Sequence, residues 1–143
     1  MKNSGAASLV PTLFFILIFS CKNPESTPTN EITLESGLKY EILKMGHGEI
    51  ARQGDEIIVQ ESMGYRDGSE LYSIKDMTLA NLPKVLIGGG QAIKGVDEGV
   101  RGMREGEIRK LIIPTSLSKR KQYPKFLSPD STLVYQTELM EII

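Results

Sequence analysis

The stretch Val85–Pro114, VLIGGGQAIKGVDEGVRGMREGEIRKLIIP, decides the fold. It opens on a short apolar run, Val85–Ile87, and breaks on Gly88, Gly89 and Gly90. Ile93, Val96, Val100 and Met103 then recur at spacings of three and four, which gives one apolar helical face. Asp97 and Glu98 fall near the start of that segment, where the helix dipole favours acids. Gly95, Gly99 and Gly102 work against helix, so the spacing predicts only a short one, around 95–102. An alternating run, Glu107–Ile113, follows and stops at Pro114. Strand, glycine turn, short helix, turn and strand leave the backbone little freedom.

Upstream, Leu38–Met45 largely alternates apolar and polar, with one slip at Ile42-Leu43, and reads as a half-buried strand. Glu56–Ser62 reads as a second strand. The Asp67-Gly68 pair marks a tight hairpin turn into a short return strand at Glu70–Ser73. Lys75–Lys84 is irregular, because Asn81-Leu82-Pro83 disfavours helix. Downstream, Ser116–Lys125 is polar and basic and reads as loop, and Thr132–Ile143 alternates as a long last strand. One short helix packed on an antiparallel sheet is the economical α+β architecture for one modest core.

The first twenty residues stand apart. Lys2 is their only charge, and Leu9–Phe19 is nearly all apolar but short for a membrane span. The run ends on Ile18-Phe19-Ser20-Cys21, small residue then cysteine, the pattern of a secretory signal whose cleavage exposes a cysteine. Residues 1–20 are expected to be a bacterial lipoprotein signal peptide and Cys21 the lipidated N-terminus, since two or three acyl chains anchor stably where one does not. Residues 21–31, polar and holding two prolines, are expected to form a disordered tether. Residues 32–143 are the folded domain. This organisation implies a lipid-anchored protein of the bacterial cell envelope facing the periplasm.

Composition excludes several functions. Removing 1–20 leaves sixteen basic against eighteen acidic residues, and a near-neutral chain argues against nucleic acid as a partner. Cys21 is the only cysteine and His47 the only histidine, so thiolate and histidine metal sites and histidine-based triads lack partners. Neither metal nor cofactor is expected. Gly88-x-Gly90 invites a dinucleotide reading, but the third glycine would fall at Ile93, and Val96-Asp97 replaces the Lys-Ser/Thr of a phosphate loop. Asp67 and Glu70 read as turn chemistry and a solvated face. Lys119-Arg120-Lys121 reads as a basic loop tip, with docking to acidic groups as its alternative.

Taken together the motifs resemble an FKBP-type peptidyl-prolyl isomerase domain. The residues that carry the resemblance run in order: Gly54-Asp55-Glu56-Ile57, Asp67-Gly68, Leu86-Ile87-Gly88 and Gln91-Ala92-Ile93-Lys94-Gly95. Asp97-Glu98-Gly99-Val100, Gly102-Met103, Gly106-Glu107-x-Arg109, Leu111-x-Ile113-Pro114, Leu133-Val134-Tyr135 and Glu138-Leu139 complete the set. The resemblance implies a bent antiparallel sheet wrapped around one short helix, and an apolar pocket that grips proline beside a backbone N–H. It assigns that N–H to Ile93, with Tyr135 and Leu71 as the other catalytic positions, Leu71 replacing a phenylalanine. Glu61, Tyr72, Val85, Ala92, Val96, Ser118, Phe126 and Leu127 take the substrate-binding positions. Val96 replaces a tryptophan floor, and Val85 and Ala92 stand for larger residues. Tyr72 takes the place of a pocket aspartate, Glu61 that of a wall tyrosine, and Ser118 (or Lys119) that of a tyrosine bonded to the peptide. The implied function is prolyl isomerisation or prolyl-peptide binding on proline-containing segments of envelope proteins. The alternative is a non-catalytic binding module or chaperone in an envelope assembly, of the kind the lipoproteins of gliding bacteria resemble.

Overall fold

The computed structural model describes Gly5 and residues 30–143, so the expected signal peptide, Cys21 and nearly all of the tether lie outside the described residues. Seven strands form one antiparallel sheet: β1 (Ile32–Thr33), β2 (Lys39–Lys44), β3 (Glu56–Tyr65), β4 (Glu70–Ser73), β5 (Lys84–Leu86), β6 (Ile108–Ile113) and β7 (Leu133–Ile142). The spatial order is β1-β2-β6-β7-β3-β4, with β5 on the same edge of β3 as β4 but further along it. The one α-helix among the described residues, α1 (Lys94–Val100), packs against β6 and β7. The α+β architecture expected from the sequence is the one observed.

Period-2 burial builds the core. On β7, Leu133, Tyr135, Thr137 and Leu139 are buried in alternation, and on β6 Arg109, Leu111 and Ile113 do the same. The slip at Ile42-Leu43 is a β-bulge: Ile42 pairs with Arg109 and Lys44 with Ile108, leaving Leu43 as the extra, exposed residue. The turn of the β3–β4 hairpin is held by Asp67, whose carboxylate accepts from the Ser69 N–H (2.9 Å) and hydroxyl (2.6 Å). Strand β1 was not anticipated. It is two exposed residues long and shows no periodicity, and it exists through its pairing with β2. The irregular 75–84 segment holds a 3-10 turn, Leu79–Asn81, and lies on the back of the sheet through Ile74 and Leu82 against Ile58 and Met140. A second 3-10 turn, Thr115–Leu117, leads into the loop expected at Ser116–Lys125.

The glycines of α1, unfavourable by propensity, serve packing. A Cβ on Gly99 would come within 2.6 Å of Leu111, and one on Gly95 would overlap Ile113. Without side chains there, the seven-residue helix sits directly on β6, which supplies the stability so short a helix lacks. Its C-terminal carbonyls are answered by Arg109, which donates to the carbonyls of Gly99 (2.9 Å) and Arg101 (3.1 Å). Arg109 is buried, pairs with buried Glu107 at 2.5 Å and lies 4.5 Å above the Tyr40 ring. The Gly106-Glu107-x-Arg109 motif is therefore a helix anchor.

Candidate functional site

A cavity of about 430 Å³ opens between α1 and the strands β3, β4, β5 and β7. Strand β3 lays Ile57, Val59 and Glu61 along one wall because alternate residues share a face. Val85 of β5, Val96 and Val100 of α1, and Tyr135 of β7 add further lining. Ala92 and Ile93, from the segment that enters α1, complete the rim. Ile93 is the N-cap of α1, in extended conformation at φ −64° and ψ 152°, and its carbonyl accepts from the N–H groups of Val96 and Asp97, both at 3.0 Å. Its own N–H has no hydrogen-bond partner among the described residues.

The loop that carries Ile93 is held from behind. Gly88 adopts φ +85°, where a side chain is strained, and its N–H donates to the Asp97 carboxylate at 2.5 Å. Asp97 also accepts from Arg101 at 2.5 Å, and the Gln91 side chain accepts from the Leu86 N–H at 2.8 Å. The glycines first considered for nucleotide binding thus set the path of a single loop.

Polar side chains line the cavity as well: Glu61 of β3, Tyr72 of β4, Lys84 of β5, Gln91, Asp97 of α1 and Arg120. Burial pushes the Glu61 carboxyl above its ordinary range, and the Arg120 guanidinium partly offsets this. Burial also raises the phenols of Tyr135 and, to a lesser burial, Tyr72; the charge of Glu61 adds to both. Arg120 reaches in from the 114–132 loop and donates to the Tyr135 hydroxyl at 3.4 Å. Its Nε is buried and has no hydrogen-bond partner among the described residues.

The structure brings together seven of the sequence-derived site residues: Glu61, Tyr72, Val85, Ala92, Ile93, Val96 and Tyr135 all line the cavity. Four stand outside it. Leu71 packs half-buried against the core without lining the cavity, and it is the extra residue of a β-bulge, since Met63 pairs with Tyr72 and Gly64 with Glu70. Ser118 is buried and donates to the Thr115 carbonyl at 3.3 Å. Leu127 is a core residue, and Phe126 is 55% exposed. Tyr65 explains this loop path: its hydroxyl accepts from the Ser128 N–H at 3.0 Å and donates to the Phe126 carbonyl at 3.4 Å, which ties the loop to the β3–β4 hairpin. Sequence reasoning missed Arg120 as a wall residue, together with Lys84, Gln91 and Asp97. The basic run 119–121 was the only available signal for Arg120. No cluster of metal-ligating side chains occurs among the described residues.

Comparison with known proteins bears on this geometry. The family model for FKBP-type peptidyl-prolyl cis-trans isomerases matches residues 48–140. An FK506-binding protein of Neisseria meningitidis serogroup B is 35% identical over 107 residues, covering 74% of this chain and 96% of that protein. FK506-binding protein 4 of Neurospora crassa is 31% identical over 116 residues, which are 80% of this chain and 24% of that protein. The crystal structure of FkpA from Escherichia coli matches with a TM-score of 0.67 at 28% identity, over 78% of this chain and 51% of that one. The chain therefore spans about a quarter of the Neurospora protein and half of the Escherichia one.

Proposed function

The chain belongs to the FKBP-type peptidyl-prolyl cis-trans isomerase family, and from that premise we propose that it catalyses rotation about X-Pro bonds in proteins of the bacterial cell envelope. The observation that carries this reading is the unpartnered Ile93 N–H at the rim of an apolar cavity bounded by Val85, Val96 and Tyr135. Uncatalysed, the rotation takes roughly tens to hundreds of seconds, because the amide must lose resonance. A proline ring seated between Val85, Val96 and Tyr135 displaces water. The dry walls favour the twisted amide, which is less polar than the planar one, and Ile93 N–H holds the peptide carbonyl while the bond turns. The reaction needs no nucleophile and no change of protonation. Residues 1–20 are the signal peptide, Cys21 carries the lipid, and residues 21–31 space the domain from the membrane on its periplasmic side. The sequence pattern around Cys21 supports this placement.

Two-dimensional NMR exchange on an Ala-Leu-Pro or Ala-Phe-Pro peptide tests the activity. Cis–trans exchange faster than in buffer, and lost in Tyr135→Ala, supports it; no acceleration at high protein concentration overturns it. A second reading, a non-catalytic binding module or chaperone within an envelope assembly such as a motility or secretion complex, draws support from Leu71 and Phe126. With Leu127, these are three apolar positions that the resemblance assigns to the pocket and that do not line it. A partner still captured by Ile93→Ala/Tyr135→Ala but lost when the 116–125 loop is changed would favour that reading.

A further inference from the structure

Beside the cavity lies a second, open depression of about 550 Å³, lined by Gly90, Gln91, Ala92 and Ile93 and, across from them, Lys119, Arg120 and Lys121. The two concavities share Gln91, Ala92, Ile93 and Arg120 as a common ridge. A peptide whose proline fills the cavity and whose carbonyl meets Ile93 N–H has a neighbouring residue delivered over that ridge. What it meets there is positive. No acid lines the depression, and none of the three cations has a carboxylate partner among the described residues.

Arg120 gives the depression its chemistry. Its Nε is buried without a partner among the described residues, and its side-chain hydrogen bond to Tyr135 is long, at 3.4 Å. A buried guanidinium N–H left unanswered is costly, and its fork of donors matches a carboxylate in two places. The two acids of the neighbouring cavity do not supply that partner. Glu61 is on the β3 wall, is not paired with Arg120 and does not line the depression, and Asp97 is engaged by Gly88 and Arg101. Lys84, the other cation of the cavity, also lies outside the depression.

We propose that this depression is a specificity subsite for acidic side chains, so that the protein prefers proline segments bearing Asp or Glu close to the proline. The inference rests on the proline-binding reading above. A peptide is favoured over a membrane surface as the occupant because the cations line a concavity continuous with the proline cavity.

The test uses the full-length chain and fluorescein-labelled peptides centred on Leu-Pro. The flanking pairs are alanines, glutamates before the proline, glutamates after it, or lysines at either place. Anisotropy is expected to show one glutamate peptide bound about tenfold more tightly than the alanine peptide at low salt, with the advantage narrowing at physiological salt. In Lys119→Ala/Lys121→Ala and in Arg120→Gln, the glutamate-to-alanine affinity ratio is expected to fall toward one. Both lysines are exposed loop residues, so the double variant keeps the test meaningful if Arg120→Gln folds poorly. Equal binding of glutamate, alanine and lysine peptides overturns the subsite and leaves the proline-binding reading standing. Failure of every peptide to bind overturns both. A ratio near one, with Lys119→Ala/Lys121→Ala losing affinity for phosphatidylglycerol vesicles, overturns the subsite in favour of a membrane contact.

Discussion

Gly99→Ala tests whether the helix glycines are there for packing. Propensity alone predicts that alanine in a helix is better than glycine by about 1 kcal/mol. The structure predicts the opposite outcome. The new Cβ would stand 2.6 Å from Leu111 Cδ1 and 2.8 Å from its Cδ2, whereas carbon contacts relax near 3.5–4.0 Å. Leu111 is 0% exposed and packed on all sides, so it cannot simply swing away. Overpacking of this kind costs about 1–3 kcal/mol, and with a contact short by about 1 Å the upper half of that range applies. The net expectation is a loss of about 1–2 kcal/mol. Urea unfolding followed by circular dichroism should show the midpoint falling by roughly 0.5–1 M. Because Val96 and Ile93 ride on the same helix, a lift of α1 from β6 should also weaken prolyl-peptide binding. Adding Leu111→Val should return at least about 0.5 kcal/mol as a coupling between the two sites. A Gly99→Ala protein as stable as its parent or more so, with an unchanged m-value, refutes the packing argument.

Three further outcomes follow from the geometry. Burial holds the Glu61 carboxyl above its ordinary value of 4.5, so the folded state binds that proton more tightly than the unfolded chain. The cost of the buried charge is therefore present above the raised folded-state pKa and disappears as the pH falls toward 4.5; the stability advantage of Glu61→Gln over the parent should be absent at pH 4 and grow as the pH rises, as read by urea midpoints. Arg109→Ala removes the answer to the Gly99 and Arg101 carbonyls and strands buried Glu107, which should cost about 3–5 kcal/mol and leave a thermally marginal domain by calorimetry. Asp97→Ala frees the Gly88 N–H and Arg101, a loss of about 1.5–3 kcal/mol for a charge-assisted bond. Because that bond holds the Ile93 loop, kcat/KM should fall about tenfold or more, and an unchanged value would remove Asp97 from the positioning of Ile93.

The order of elements was legible in the chain because each one is written in local periodicity. Alternation in 107–113 and 132–143 named β6 and β7, Asp67-Gly68 named the hairpin, and the single break at Ile42-Leu43 turned out to be a real bulge. Seven cavity residues, Glu61, Tyr72, Val85, Ala92, Ile93, Val96 and Tyr135, were legible for another reason: the family resemblance places them position by position, because they sit in or beside regular elements where its motifs align without gaps. Tertiary structure alone decided the loop between Pro114 and Leu133. No period governs its path; the Tyr65 hydroxyl ties Ser128 and Phe126 to the hairpin, Ser118 turns inward to Thr115, and Arg120 enters the cavity in its place. The β5 edge pairing likewise exists only through β3, a strand distant in sequence, and the two-residue β1 only through its pairing with β2. The glycines of the Val85–Pro114 stretch show the division most directly. The sequence could mark 95 and 99 as costly to a helix, but only the contacts with Leu111 and Ile113 explain why nothing larger fits there.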